Sequence, residues 1–259
     1  MAHQRLYRTP AVVLKRTDLG EADRIVTLFT RDYGKLRAVA KGVRRTTSRS
    51  AGHLEPFTLS DLLLAVGREL DVVSQALTLE PFRALRENLE LTMYAYYLAE
   101  VVDQLTEERF ENRAAFDVLV KGFRQLAAEP DDDPRLVLVN FHLELSDVLG
   151  YRPELRACVS CRATIEPGPN QFSPLAGGVL CPTCGPREAS ARPVSVPALK
   201  LLRYVQQTGG RRRVVVPAAV AREAEGLLRN YAEHLIERRL RSPALIARVV
   251  DLQTYNTTA

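Results

Sequence analysis

Long apolar runs are missing from this sequence of 259 residues. No segment approaches the roughly 18 consecutive apolar residues that a membrane-spanning helix needs. The first residues, Met-Ala-His-Gln-Arg-Leu-Tyr-Arg, lack the apolar core of a secretory signal peptide. We therefore expect a cytoplasmic protein.

The sequence also lacks the motifs that mark common catalytic sites. Its four histidines, His3, His53, His142 and His234, do not have the spacing of a metal site. It contains neither the phosphate-binding Gly-x-x-x-x-Gly-Lys-Ser/Thr motif nor the dinucleotide-binding Gly-x-Gly-x-x-Gly motif. We interpret His142 as a structural histidine, and the acidic run 131–133 as a helix cap in preference to a two-metal nuclease site. We expect no catalytic residue and no enzymatic activity.

Cysteine is scarce, and its four residues form two Cys-x-x-Cys pairs, Cys158 with Cys161 and Cys181 with Cys184. Each pair can direct two sulfurs at one ion, and the nineteen residues between the pairs are typical of four-cysteine zinc sites. The spacing predicts one structural Zn²⁺ in a turn-rich insert. Four thiolates close a tetrahedral shell, which argues against metal catalysis there. A redox pair and a degenerate, empty site are the alternatives.

Charge is distributed unevenly, although the net charge is only +5. Residues 1–86 carry fifteen Lys and Arg against nine Asp and Glu, whereas residues 87–147 carry five against fourteen. Residues 200–248 are basic again, with eleven against four. This asymmetry indicates basic surfaces that face a polyanion; solvated helix faces are the alternative.

Short apolar runs separated by turn residues fill the first eighty or so residues. They cover residues 7–16, 24–30, 35–40, 55–66 and 69–79. Gly20 and Gly34 mark breaks, and residues 32–35 predict a hairpin turn. Five short strands predict a small barrel of the OB-fold type.

From residue 88 the apolar period becomes that of helices. Asn88 and Asn112 are candidate caps for the first two helices. The third helix is marked by Asp133 as its cap, Pro134 at its first position and Gly150 as its stop. Further helices are predicted over residues 197–207 and 217–241. The fold class is therefore α+β, an N-terminal five-stranded OB-fold barrel followed by an all-α domain with an inserted four-cysteine zinc module.

A group of cations surrounds the third predicted strand: Lys35, Arg37, Lys41, Arg44, Arg45 and Arg49. Lys35 and Arg37 alternate with apolar residues, so they share one face of the strand, and the others fall on the loop that follows. A basic strand face beside a mobile basic loop suits binding to nucleic-acid phosphates without sequence preference. Tyr33 and Phe57 are aromatics that could stack on bases, but burial in the barrel core is the stronger interpretation for each.

A second basic group follows Gly209 and Gly210, namely Arg211, Arg212 and Arg213. We expect this triplet to be exposed and to contact nucleic acid. Further arginines continue along the last predicted helix: Arg222, Arg229, Arg238, Arg239 and Arg241. Glutamates at 223, 225, 233 and 237 are near neighbours on the same helix, so some of these arginines pair with them.

Several segments together resemble the RecO family of recombination mediators. They are residues 20–30, 34–36, 39–45, 48–49, 52 and 54–57, then 172–173 and 177–184. The second set is similar to the zinc-bearing members. The resemblance implies an OB-fold domain at 1–82 and a helical domain at 83–259, with a zinc-finger-like insert at 152–190.

The resemblance also implies a function. It implies a protein that binds single- and double-stranded DNA, anneals complementary strands and works at the nucleoid. It implies action with RecR, and in some cases RecF, to load recombinase onto DNA coated by single-strand binding protein. A zinc-ribbon protein that binds RNA or takes part in transcription is the alternative.

Overall fold

Five β-strands close into a barrel in the computed structural model, which describes residues 5–128, 133–210, 214–246 and 248. The strands are β1 (Leu6–Leu19), β2 (Asp23–Thr30), β3 (Gly34–Ala40), β4 (Leu59–Ala65) and β5 (Asp71–Glu80). Their order around the barrel is β1-β2-β3-β5-β4, and only the β3–β5 pairing is parallel. The predicted OB-fold barrel is confirmed.

The barrel core follows from alternation along the strands. On β3, Leu36 and Ala38 point inward and are fully buried, whereas Lys35 and Arg37 lie on the outer face. The hairpin between β2 and β3 has Gly34 at a φ of +65°, a conformation that favours glycine. The predicted hairpin turn and the shared face of Lys35 and Arg37 are therefore confirmed.

Three helices follow the barrel. They are α1 (Ala84–Glu87), α2 (Leu89–Leu105) and α3 (Arg113–Ala128). The Asn88 side chain accepts a hydrogen bond from the Leu91 amide at 3.1 Å, and Asn112 accepts one from the Ala115 amide at 2.9 Å. Both predicted amino-terminal caps are confirmed.

The described residues divide into two compact units. The first unit lies within Met1–Ala128 and Arg241–Ala259, and the second within Glu129–Leu240. The second unit contains α4 (Pro134–Val148), β6 (Gln171–Ser173), β7 (Gly178–Leu180), β8 (Arg192–Pro193), α5 (Val196–Thr208) and α6 (Ala218–Ile236). The three short strands form a sheet in the order β7-β6-β8. Phe172, Leu202 and Tyr231 belong to the core of this unit.

The predicted third helix is confirmed as α4, but the predicted end of the last helix is wrong. Asp133 caps α4 by accepting from the Arg135 amide at 2.9 Å, while residues 131 and 132 of the acidic run lie outside the described part of the chain. Helix α6 ends at Ile236 and not at Arg241, because Glu237 takes a left-handed conformation with φ of +57°. The Glu233 side chain then accepts a hydrogen bond from the Leu240 amide at 3.1 Å, which fixes the turn beyond the helix.

Among the described residues, no helix combines the length and the apolar character that a membrane span requires.

Candidate metal centre and nucleic-acid interface

The four cysteines converge on one point in the second unit. Their sulfur atoms all lie within 4.8 Å of one another, and the Sγ atoms of Cys161 and Cys181 are 3.8 Å apart. Four sulfurs about 2.3 Å from a central ion would be about 3.8 Å from each other. The cluster therefore has the dimensions of a tetrahedral thiolate site and fits a zinc ion.

Two tight turns place the sulfurs. We name residues 157–164 the first knuckle and residues 181–185 the second knuckle. In the first, the Cys158 amide donates to the Ala163 carbonyl at 2.8 Å, and the Arg162 amide donates to the Cys158 carbonyl at 2.9 Å. In the second, the Cys184 and Gly185 amides both donate to the Cys181 carbonyl. Each turn folds back so that both of its thiols face the same side.

Backbone contacts hold the two knuckles together. The Val159 amide donates to the Val179 carbonyl at 3.0 Å, and the Val179 amide donates to the Glu154 carbonyl at 2.8 Å. A Cβ atom on Gly178 would overlap that Glu154 carbonyl oxygen, so only glycine fits there. These backbone contacts therefore contribute to the separation of the sulfurs.

Neighbouring amides and thiols shift the pKa values of the cysteines in opposite directions. Burial acts to raise the pKa of Cys158, but backbone amides of Cys161, Cys181 and Ser160 outweigh it and lower that pKa to about 6. A hydrogen bond with Ser160 acts to lower the pKa of Cys184, but the adjacent thiols and burial raise it to about 11. The cluster thus ionises easily at one sulfur and poorly at another. A positive ion lets all four become thiolates.

Lys35, a predicted phosphate contact, is engaged within the first unit. Its Nζ lies 3.4 Å from Asp103 Oδ1 and also donates to the Asp103 backbone carbonyl. Lys15 contacts the same carboxylate at 2.8 Å. The Lys35 side chain is only 16% exposed, so helix α2 neutralises part of the basic strand face.

Two further predicted contacts also face carboxylates. Arg37 lies 3.5 Å from Glu108, and Arg44 lies 3.5 Å from Asp18. Arg44 also donates to the Gly20 carbonyl at 2.9 Å. Sequence patterns did not identify Asp103 and Glu108 as partners of the barrel cations; the signal available was the strongly acidic segment 87–147.

The other three predicted barrel cations remain open to solvent. We name Lys41, Arg45 and Arg49, on the turns that follow β3, the cationic turn. All three residues are exposed, and no carboxylate in the described part of the chain lies within ion-pair distance of them. The Asp23 carboxylate anchors this segment, because the Gly42 amide donates to Asp23 Oδ1 at 2.7 Å.

The two candidate stacking aromatics differ in burial. Phe57 is 1% exposed and packs edge-on against Tyr96 and Phe123, so its interpretation as a core residue is confirmed and a stacking role is excluded. Tyr33 is 41% exposed and packs against Tyr7 with ring centroids 4.4 Å apart. The interpretation of Tyr33 as a core residue is therefore wrong, and a stacking role for it stays a prediction.

The second basic group is described only in part. Arg211, Arg212 and Arg213 lie outside the described residues, as does His3. Arg229 pairs with Glu225 at 3.5 Å, as expected for some helical arginines, whereas Arg238, Arg239 and Arg241 are exposed beyond the end of α6. His142 is 2% exposed on α4, which confirms its interpretation as a buried structural residue.

Comparison with known proteins agrees with the resemblance in the sequence. The family model for the Recombination protein O N terminal matches residues 1–82, and that for the Recombination protein O C terminal matches residues 86–244. DNA repair protein RecO of Roseiflexus sp. (strain RS-1) is 46% identical over 246 residues, covering 93% of this chain and 85% of that protein. DNA repair protein RecO of Nocardioides sp. (strain ATCC BAA-499 / JS614) is 43% identical over 249 residues, covering 94% and 100%. The chain therefore belongs to the RecO family of DNA repair proteins.

Proposed function

We propose that this protein is a DNA-binding mediator of recombinational repair that acts without enzymatic turnover. Membership of the RecO family gives the role in DNA repair and recombination. The observation that carries the DNA-binding part is the cationic turn, three exposed cations on an anchored segment beside the barrel. The barrel domain at 1–82 is then the DNA-binding domain, and residues 83–259 form the helical domain with the zinc insert at 152–190.

The physical mechanism is neutralisation of phosphate charge. Lys41, Arg45 and Arg49 replace counterions along a DNA backbone, and release of those counterions drives binding with no dependence on base sequence. Such a surface accepts single-stranded and double-stranded DNA alike. Annealing follows from the same chemistry, because cations between two backbones reduce the repulsion between complementary strands. We assign the direct contacts to the cationic turn first and to Arg44 second.

Lys35 and Arg37 have a different role in this proposal. Both lie on the outer face of β3, but each faces a carboxylate of the segment that follows the barrel. They contribute to the positive potential near the turn and mainly hold that segment in place. Arg211, Arg212 and Arg213 supply a second basic surface for DNA.

The protein acts with partners in this proposal. RecR, and in some organisms RecF, joins it at DNA coated by single-strand binding protein, where the assembly loads recombinase at the nucleoid. The cysteine cluster holds one Zn²⁺ through Cys158, Cys161, Cys181 and Cys184. Bound there, the ion supplies structural cross-linking of the two knuckles, and its four-sulfur shell leaves no position for a substrate.

A strand-annealing assay tests the proposal. Two complementary fluorescent oligonucleotides are mixed with the wild-type protein or with the Lys41→Glu, Arg45→Glu, Arg49→Glu triple variant, each with and without purified RecR. We expect the wild type to accelerate annealing and the triple variant to lose most of that acceleration. Equal annealing by both proteins would contradict the assignment of DNA contact to the cationic turn. Tighter binding of structured RNA than of single-stranded DNA would contradict the proposal that the protein is a DNA-binding mediator.

A further inference from the structure

Arg203 on helix α5 contacts the metal-binding insert through its guanidinium. Its Nε donates to the Leu155 carbonyl at 2.8 Å, and its Nη2 donates to the Ile165 carbonyl at 3.0 Å. Leu155 and Ile165 are both buried, at 0% and 3% exposure. Both acceptor residues therefore lie in the packed interior of the second unit.

The two carbonyls stand on opposite sides of the first knuckle. Leu155 precedes Cys158 and Ile165 follows Cys161, and the two sides are paired through the Ile165 amide and the Arg156 carbonyl at 2.9 Å. An isolated bridge between Ala157 and Thr164 continues that pairing. One guanidinium thus holds both ends of the turn that carries two of the four sulfurs.

Helix α5, which carries Arg203, is itself held in place by further contacts. Gln206, three residues further along the helix, donates to the Pro153 carbonyl at 2.9 Å. Leu199 and Leu202 on the same helix are buried in the core of the unit. Burial lowers the pKa of Arg203, but a guanidinium remains charged throughout the neutral range. The charged donor is therefore permanent and well anchored.

The position of the first knuckle sets its distance from the second. The Cys181 amide donates to the Cys158 sulfur at 3.5 Å, and the Val159 amide reaches the Val179 carbonyl. A shift of the first knuckle would therefore move Cys158 and Cys161 relative to the other two sulfurs.

We propose that Arg203 is a positioning residue of the metal site, which holds the first knuckle at the separation that four-sulfur coordination requires. The inference rests on the zinc site of the proposed function. Loss of groups that orient metal ligands typically weakens metal binding by about 10- to 100-fold. Arg203→Met removes both donors and leaves two buried carbonyls without them, whereas Arg203→Lys retains a positive donor that can reach one carbonyl.

The experiment measures metal affinity and coordination geometry in the full chain. Purified protein is stripped of metal under reducing conditions and titrated with Co²⁺, whose visible spectrum reports tetrahedral thiolate coordination, and zinc affinity is measured by competition with a chromogenic chelator. Two controls are matched to Arg203→Met. Arg156→Met removes an exposed arginine that donates to the Gln207 side chain at 3.3 Å, and Val205→Ala removes buried apolar volume from α5.

We expect Arg203→Met to bind zinc about 10- to 100-fold more weakly and to change the Co²⁺ spectrum, with Arg203→Lys intermediate. We expect Arg156→Met to match the wild type, and Val205→Ala to lower the Tm while keeping the wild-type spectrum. Wild-type zinc affinity in Arg203→Met would overturn the role of Arg203. So would a loss of zinc affinity no larger than that of Val205→Ala, if the two variants have the same Tm. If wild-type protein gave no cobalt–thiolate band, the zinc site itself would be refuted and the inference with it.

Discussion

Lys35 and Asp103 form an ion pair that joins the outer face of the barrel to the end of helix α2. Lys35 Nζ and Asp103 Oδ1 are 3.4 Å apart, and the two side chains are only 16% and 13% exposed. From sequence alone, Lys35, Arg37 and Arg44 would be the natural residues for a charge-reversal test of DNA binding. Because carboxylates face all three, such a variant would disturb folding as well as binding.

Removing the Asp103 carboxylate should destabilise the first unit. In Asp103→Asn, both Lys15 and Lys35 lose a charged partner, and we expect the free energy of unfolding to fall by about 1 to 3 kcal/mol. The control is Glu108→Gln, whose pair with Arg37 is more than half exposed and should contribute less than about 1 kcal/mol. Urea denaturation measures both, and equal losses would refute a structural role for Asp103.

Substitution of Gly34 should destabilise the protein because the segment after α2 passes directly over it. A Cβ atom at Gly34 would overlap the Phe110 carbonyl, and the left-handed φ of +65° would add backbone strain for any other residue. Gly20 has a similar φ of +57°, but a Cβ atom added there would have no heavy atom within 4 Å. We expect Gly34→Ala to cost about 1 to 3 kcal/mol more than Gly20→Ala in thermal or urea unfolding. Equal costs would mean that the segment moves aside freely.

Sequence patterns predicted most local structure, because local structure depends on neighbouring residues. The five strands, the caps at Asn88, Asn112 and Asp133, and the convergence of the four cysteines all follow from short-range spacing. The pairing of Lys35 with Asp103 joins residues 68 positions apart, and no local pattern encodes it. The end of α6 at a left-handed glutamate lacked the usual glycine signal.

Burial of Phe57 and the contacts of Arg203 also depend on tertiary packing. Phe57 lies between Tyr96 and Phe123, which come from helices after the barrel. Arg203 binds carbonyls 48 and 38 positions earlier in the chain. The sequence favoured burial of Phe57, but its aromatic partners and the contacts of Arg203 became visible only in the folded structure.

Stability should fall on acidification because of His142. Burial, with a smaller contribution from Arg229, lowers the pKa of this histidine from 6.5 to about 3. Between these values the unfolded chain binds a proton that the folded chain excludes, so stability is lost as the pH falls below about 6.5. The slope should approach at most about 1.4 kcal/mol per pH unit.

The contribution of His142 can be isolated by substitution. His142→Asn should show a shallower decline of the urea midpoint between about pH 8 and pH 5 than the wild type. His234→Gln, at an exposed position on α6, should retain the wild-type slope. An unchanged slope in His142→Asn would refute the assignment.

Metal content should depend on Cys158. This residue is fully buried and its thiol lies within the four-sulfur cluster, so Cys158→Ser should lower both the zinc content and the Tm. A chelator should lower the Tm of the wild type but have little further effect on the variant. If elemental analysis finds the same zinc stoichiometry in the wild type and in Cys158→Ser, the assignment of a four-cysteine zinc site is contradicted.

The most direct test of the DNA-binding surface is the salt dependence of binding to single-stranded DNA. It compares the Lys41→Glu, Arg45→Glu, Arg49→Glu variant with a variant reversed at Arg187, Arg192 and Lys200. These control cations are exposed in the second unit, and their reversal changes the net charge equally. If all three turn residues contact phosphates, the slope of log affinity against log salt concentration should become shallower by about two units in the first variant. The control should keep the wild-type slope, and an unchanged slope in the first variant, or equal changes in both, would contradict the cationic turn as the DNA surface.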